Sequence, residues 1–194
     1  MSDLFVEPDD ATPLSPEERE GLIPTHIALR RELNELEQEN IVEANIWGFQ
    51  RARDPVDERF GRDLHKRMFG QVWRWAGAYR KTDKNIGAPR ATILPRLYEV
   101  FDNVGYWSIN KTFAPDEIAA RFHHGLVFIH PFPNGNGRWS RLMADLLLAR
   151  LGQPRFTLGA SALRTPDEAR AAYISALQAA DQHDFGPLTA FLRS

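Results

Sequence analysis

Apolar residues recur every three to four positions along most of this chain, the period of helices that bury one face. Ser15-Pro16-Glu17-Glu18 combines a capping side chain, a proline at the first helical position and acids in the first turn. It predicts a short helix that Gly21 stops. A longer helix is predicted from about Thr25 to Arg53, with Ile27, Leu33, Leu36, Ile41, Ile46 and Phe49 as an imperfect stripe and Asp54-Pro55 as its end. The next runs from about Val56 to Phe69, with Phe60, Leu64 and Met68 on one face. The period fades at Tyr79-Arg80-Lys81-Thr82, where a short strand or hairpin near 78–92 is expected. Helices resume at about 93–109, 115–129, 137–151 and 166–182, with a short one near 186–193. The pattern is that of an all-α, mostly helical bundle carrying one small β-hairpin.

Length and composition narrow the class. At 194 residues, with 43% hydrophobic and 26% charged residues, the chain fits one domain with a sizeable core, or one domain plus a short appendage. Residues 1–13, rich in Asp, Pro and Thr, form an irregular lead; with the short helix they make an N-terminal element, 1–23, ahead of a domain at 24–194. The absence of cysteine excludes disulfides, cysteine-zinc sites and thiol catalysis. A net charge of −2 gives no support to a nucleic-acid or membrane surface. No secretory signal or membrane-length run is present, so a cytoplasmic protein is the expectation.

The chemistry concentrates in His130-Pro-Phe-Pro-Asn134-Gly-Asn136-Gly-Arg138-Trp-Ser-Arg141, where one apolar helix ends and another begins. Gly135 and Gly137 let the backbone around Asn136 turn its N–H groups inward, and a helix start leaves further N–H groups unpaired, so the junction can hold an anion. The Asn136 amide offers one more donor. Arg138 and Arg141 lie about 60° apart around the helix axis and can both reach one polyphosphate. Alone, His130 would be a core or capping residue and Asn-Gly a plain turn. Next to an anion cradle, His130 becomes the candidate general base. His123 and His124 invite a metal reading, but adjacent helical residues point about 100° apart and no HExxH spacing completes a zinc set. One of the two is expected in the core and the other exposed.

These residues resemble the signature of the Fic domain, HPFx[D/E]GNGRxxR, with Asn134 standing where the family has an acid. Phe69 through Arg80, Asn85-Ile86-Gly87, Tyr173 and Asp181 resemble further Fic landmarks. The match is closest to small bacterial Fic proteins with the HPFPNGNGR variant, the mobile mystery protein B type. The resemblance implies a Fic-type helical bundle, transfer of AMP from ATP to a hydroxyl of a target protein, His130 as base, and Arg138 and Arg141 on the outer phosphates. It implies Mg2+ or Mn2+ near Asn134, although an amide oxygen is a weaker ligand for a hard cation than a carboxylate. Tyr79, Arg80, Lys81 and Thr82 would belong to a flap that lays a target chain alongside the site as an added strand.

Restrained Fic proteins carry [S/T]xxxE[G/N], whose Glu meets the second motif arginine. Glu20-Gly21 and Glu39-Asn40 are partial matches, and Glu20 is preferred as the inhibitory residue because it lies outside the expected core. The implied partners are ATP or another nucleotide and an unidentified target protein, and a homo-oligomer is compatible with them. Two alternatives stand beside the transferase. One is a non-catalytic nucleotide-binding or interaction module. The other is a Doc-like phosphotransferase, whose usual motif has Ala and Lys where this chain has Gly135 and Gly137.

Overall fold

The computed structural model describes residue 4 and residues 13–50, 53–158 and 165–194. Most of the expected lead, 1–13, and part of the turn after the second helix therefore lie outside the described residues. Helix α1 (Pro16–Arg19) starts at the expected box: Ser15 Oγ accepts the Glu18 N–H at 3.3 Å, and Glu18 Oε2 accepts the Ser15 N–H at 2.8 Å.

Helix α2 (Arg30–Phe49) begins later than the periodicity suggests. The Glu32 carboxylate accepts the N–H groups of Ala28 and Leu29, both at 3.1 Å, and so fixes the start at Arg30. Its buried face is Leu33, Glu37, Asn40, Ala44 and Gly48, whereas Ile46, assigned to the apolar stripe, is 53% exposed. The stripe is imperfect because two polar residues occupy the inner face. Gly48 allows close approach there, since a Cβ would sit 3.2 Å from a Leu146 methyl.

Helix α3 (Glu58–Phe69) is capped by Asp57, which accepts the Arg59 N–H at 2.9 Å, and buries Gly61, Leu64, His65, Met68 and Phe69. Helices α4 (Ile93–Asn110), α5 (Pro115–Ile129) and α6 (Asn136–Arg150) follow, then α7 (Pro166–Asp181) and α8 (Gly186–Arg193). Each falls within one residue of the sequence reading. Helix α5 lies at the centre, packed against α4, α6, α7 and α8. Phe122, Leu126 and Ile129 from α5 join Trp139, Met143 and Leu147 from α6 in one core, at about 25 cal/mol per Å² of apolar surface removed from water. The buried Trp139 indole donates to the Gly61 carbonyl at 2.8 Å, tying α6 to α3.

The expected hairpin is not formed. Residues 78–89 are turns, bends and irregular backbone leading to a 3-10 turn at Arg90–Thr92, and the antiparallel bridge Leu22–Trp73 is the one isolated β-bridge among the described residues. The reason is where the segment's hydrogen bonds go. Arg80 N–H donates to Pro131 O at 2.9 Å and Ala88 N–H to Ile129 O at 3.2 Å, so donors that would pair across a hairpin pair with the α5–α6 junction instead.

Candidate functional site

The junction starts with His130, which ends α5 in the left-handed conformation (φ 53°). That turn away from the helix swings the chain into Pro131 and Phe132. Phe132 is fully buried, stacked on the His65 ring at 3.7 Å between centroids and meeting Trp139 edge-on at 4.9 Å. Asn136 closes the loop in both directions: its Oδ1 accepts the Phe132 N–H and its Nδ2 donates to the Phe132 carbonyl, each at 2.9 Å. The Asn136 side chain thereby clamps the loop, with its amide oxygen and one of its two amide N–H groups engaged. At Gly135 (φ 78°) a Cβ would lie 2.5 Å from the Phe69 ring, so only glycine fits. A Cβ on Gly137 would meet nothing within 4 Å, which marks the open side of the junction. No side chain caps α6 at Gly135, so its amino end presents N–H groups and the positive end of the helix dipole on that side.

His130 is only 9% exposed, in the loop between α5 and α6. Burial, followed by the nearby charges of Arg80 and Lys84, pushes its pKa down to about 4 against the opposing pull of the Val127 carbonyl. The imidazole is thus neutral at physiological pH and able to accept a proton. Arg80 holds it in place from behind. Its guanidinium donates to the carbonyls of His130 at 2.7 Å and Thr82 at 2.8 Å, and to that of Ala88. Arg80 itself is buried. Tyr79 is also turned inward, its hydroxyl on the Glu58 carboxylate and its ring 5.4 Å from Phe132. Of the four expected flap residues, Lys81 and Thr82 are the exposed pair.

The two arginines of the motif diverge. Arg138 forms an ion pair with Glu37 at 2.6 Å and lies 4.8 Å over the Phe69 ring. Glu37 is 4% exposed, and its other oxygen accepts the Trp73 indole N–H at 2.6 Å. Arg141 turns the other way, 5.3 Å over Tyr173, whose hydroxyl meets His123 Nε2 at 2.9 Å. His123 is fully buried with its pKa pushed to about 3 by desolvation, and His124 contacts Asp181 at 2.8 Å nearer the surface. Among the described residues no group of three or more His, Cys, Asp or Glu could hold a metal.

Glu20, the expected inhibitory residue, caps α1 at the surface with its carbonyl on Arg74 at 3.2 Å, and Glu39 is exposed on α2. Among the described residues, the carboxylate paired with a motif arginine is that of Glu37. The sequence signal for it was a Glu four residues after Leu33, on the buried face of α2. His65 was missed in the same way, beside Leu64 on the inner face of α3.

Asn134 folds its Oδ1 onto the next N–H, of Gly135, at 2.6 Å. One amide oxygen suits a magnesium ion that arrives on a polyphosphate, because such ions take one or two protein ligands and fill the rest with phosphate oxygens and water. It would not hold a free ion.

The chain is similar in sequence and in fold to known proteins. Residues 55–148 match the Fic/DOC family. The protein adenylyltransferase Fic of Drosophila grimshawi is 32% identical over 134 residues, 67% of this chain and 26% of its own length. The protein adenylyltransferase fic-1 of Caenorhabditis briggsae is 33% identical over 135 residues, 67% of this chain and 25% of its own length. The chain spans about a quarter of the length of these curated relatives. Among solved structures, BepC from Bartonella tribocorum with bound AMPPNP aligns with a TM-score of 0.69 at 18% identity, covering 92% of this chain and 97% of that one. C. elegans Fic-1 aligns at 0.66 and 24% identity, covering 90% and 51%. At those identities the structural likeness concerns the fold.

Proposed function

We propose that this chain, which carries a Fic/DOC domain over residues 55–148, is a protein adenylyltransferase that moves AMP from ATP to a hydroxyl side chain of a target protein. The observation that carries the reading is His130, kept neutral by burial at the end of α5, in the same loop that leads into the amino end of α6. The names of the curated relatives support it, and the HPFPNGNGR spelling supports placing it with the small bacterial members.

In this mechanism the polyphosphate lies on the open side of Gly137, against the N–H groups of α6. The target hydroxyl oxygen attacks the α-phosphorus in line as the bond to pyrophosphate breaks. His130 takes the hydroxyl proton, and the departing pyrophosphate keeps the bond electrons. Arg138 and Arg141, reoriented from Glu37 and Tyr173, hold the outer phosphates with guanidinium geometry suited to two oxygens at once. Magnesium bound through Asn134 and the phosphates would neutralise charge on the leaving group. Positioning and fixed charge do most of the work. Lys81 and Thr82 form the exposed edge available to a target chain.

Within this reading Glu37 is the candidate restraint, since it occupies an arginine that the phosphates need. A nucleotide-binding module is the second reading, and the engagement of Asn134 Oδ1 with Gly135 favours it. Incubation with ATP labelled at the α-phosphate, with magnesium or manganese, separates the two. Label on the protein or on a lysate target, lost in His130→Ala, is expected of the transferase. ATP binding without label under either metal would establish the module instead.

A further inference from the structure

His65 is a fully buried histidine on α3 with a partner on each side. Its Nδ1 lies 3.0 Å from the Gly77 backbone nitrogen, and its Nε2 lies 3.1 Å from the Asn134 carbonyl oxygen. A backbone N–H can only donate and a carbonyl can only accept. Both contacts are therefore satisfied by one form of the ring alone, neutral with its proton on Nε2.

That assignment has a geometric consequence. In a trans peptide the C=O and the following N–H point in opposite directions. Drawing the Asn134 carbonyl inward to His65 turns the Gly135 N–H outward, to the side on which a phosphate would lie. There it is covered by the movable Asn134 carboxamide. The other end of the ring fixes Gly77, a left-handed turn (φ 78°) pressed against α3, where a Cβ would come 2.9 Å from the Lys66 Cβ. Tyr79 and Arg80 leave from that turn, and Arg80 supports His130.

We propose that His65 is a positioning residue for nucleotide binding, aiming the Gly135 N–H at the phosphates while locking the Gly77 turn that carries Tyr79 and Arg80. The inference rests on the reading of the junction as a phosphate site but not on transfer taking place.

Three variants test it in the full chain. His65→Gln can place an amide N–H where Nε2 lies, His65→Asn can place an oxygen where Nδ1 lies, and His65→Phe keeps the stack on Phe132 with neither bond. Binding of ATP and of inorganic pyrophosphate is measured by calorimetry with magnesium present, and folding by circular dichroism. The expected result is weakening of at least about tenfold in the Asn and Phe variants, the scale of one misdirected hydrogen bond to an anion. The Gln variant should stay within about threefold of the parent. Parental affinity in a folded Phe variant, or equal affinity in Asn and Gln, would overturn the proposal. If the variants do not fold, nitrogen-15 spectra of the parent decide, because a protonated Nδ1 on His65 would overturn it and a protonated Nε2 supports it. A parent that binds both probes but transfers nothing leaves this inference standing and removes the transferase reading. A parent that binds neither removes the inference.

Discussion

Glu37 on α2 and Arg138 on α6 stand 101 positions apart in the chain and meet at 2.6 Å, one charge 5% and the other 35% exposed by side chain. Replacing Glu37 by Gln keeps an oxygen for the Trp73 indole and removes the charge that holds Arg138. The expected outcome is ATP binding tighter by about five- to tenfold, since a freed guanidinium gains a charge-assisted bond to phosphate, with faster self-labelling. Calorimetric titration and a labelling time course check it. Unchanged affinity in a folded variant would mean that the pair does not compete with the phosphates.

On the transferase reading, His130 sets the acid side of the rate profile. His130→Ala should lower kcat by about 10²- to 10⁴-fold with ATP affinity nearly unchanged, the usual contribution of a positioned base. Because its pKa is lowered to about 4, the imidazole loses its ability to accept a proton only as pH falls through that value. The kcat/KM profile should therefore be level across pH 6 to 8, without the break near 6.5 that an ordinary histidine gives. Initial rates across that range decide the matter, and a break near 6.5 would show that His130 titrates normally.

Asn134→Asp changes a neutral oxygen donor into a charged one of nearly the same shape. It should lower the magnesium needed for half-maximal transfer by on the order of tenfold, as ligand charge sets affinity for hard cations. Transfer rates against magnesium concentration are the measurement. Tighter metal binding with no transfer at all would favour the binding module.

Three buried histidines make the fold sensitive to acid. His65 and His123 are held near 3 and His130 near 4 by desolvation, all below the value of about 6.5 that they regain on unfolding. Between those limits the unfolded chain binds more protons, so stability falls as pH falls. The loss is up to about 1.4 kcal/mol per pH unit for each ring, and roughly 4 kcal/mol per unit for the three together near pH 5. Urea titrations at pH 7, 6 and 5 should show this slope. In His123→Gln, which keeps a partner for Tyr173, about one third of it should vanish.

The helices from Ile93 onward follow directly from their sequences, because apolar spacing and caps such as the Thr165–Glu168 box are local properties of the chain. The junction is equally visible in the sequence as a helix end, a glycine-rich loop and a helix start, and its histidine, two glycines and two arginines are what make an anion site with a base beside it the expectation. What the sequence could not convey are relations between distant segments. The face of α2 is set by Glu37 finding Trp73 and Arg138, which no local pattern contains. The stretch after Tyr79 looks like a hairpin by composition, but the N–H groups of Arg80 and Ala88 bond the Pro131 and Ile129 carbonyls instead. That Phe132 takes the Asn136 amide oxygen and one of its N–H groups is likewise a relation that no local pattern contains. Periodicity and capping energies act within a few residues, so sequence alone settles most of the helices and the motif. The partners of a buried polar group depend on which segments are brought together, and only the tertiary structure decides them.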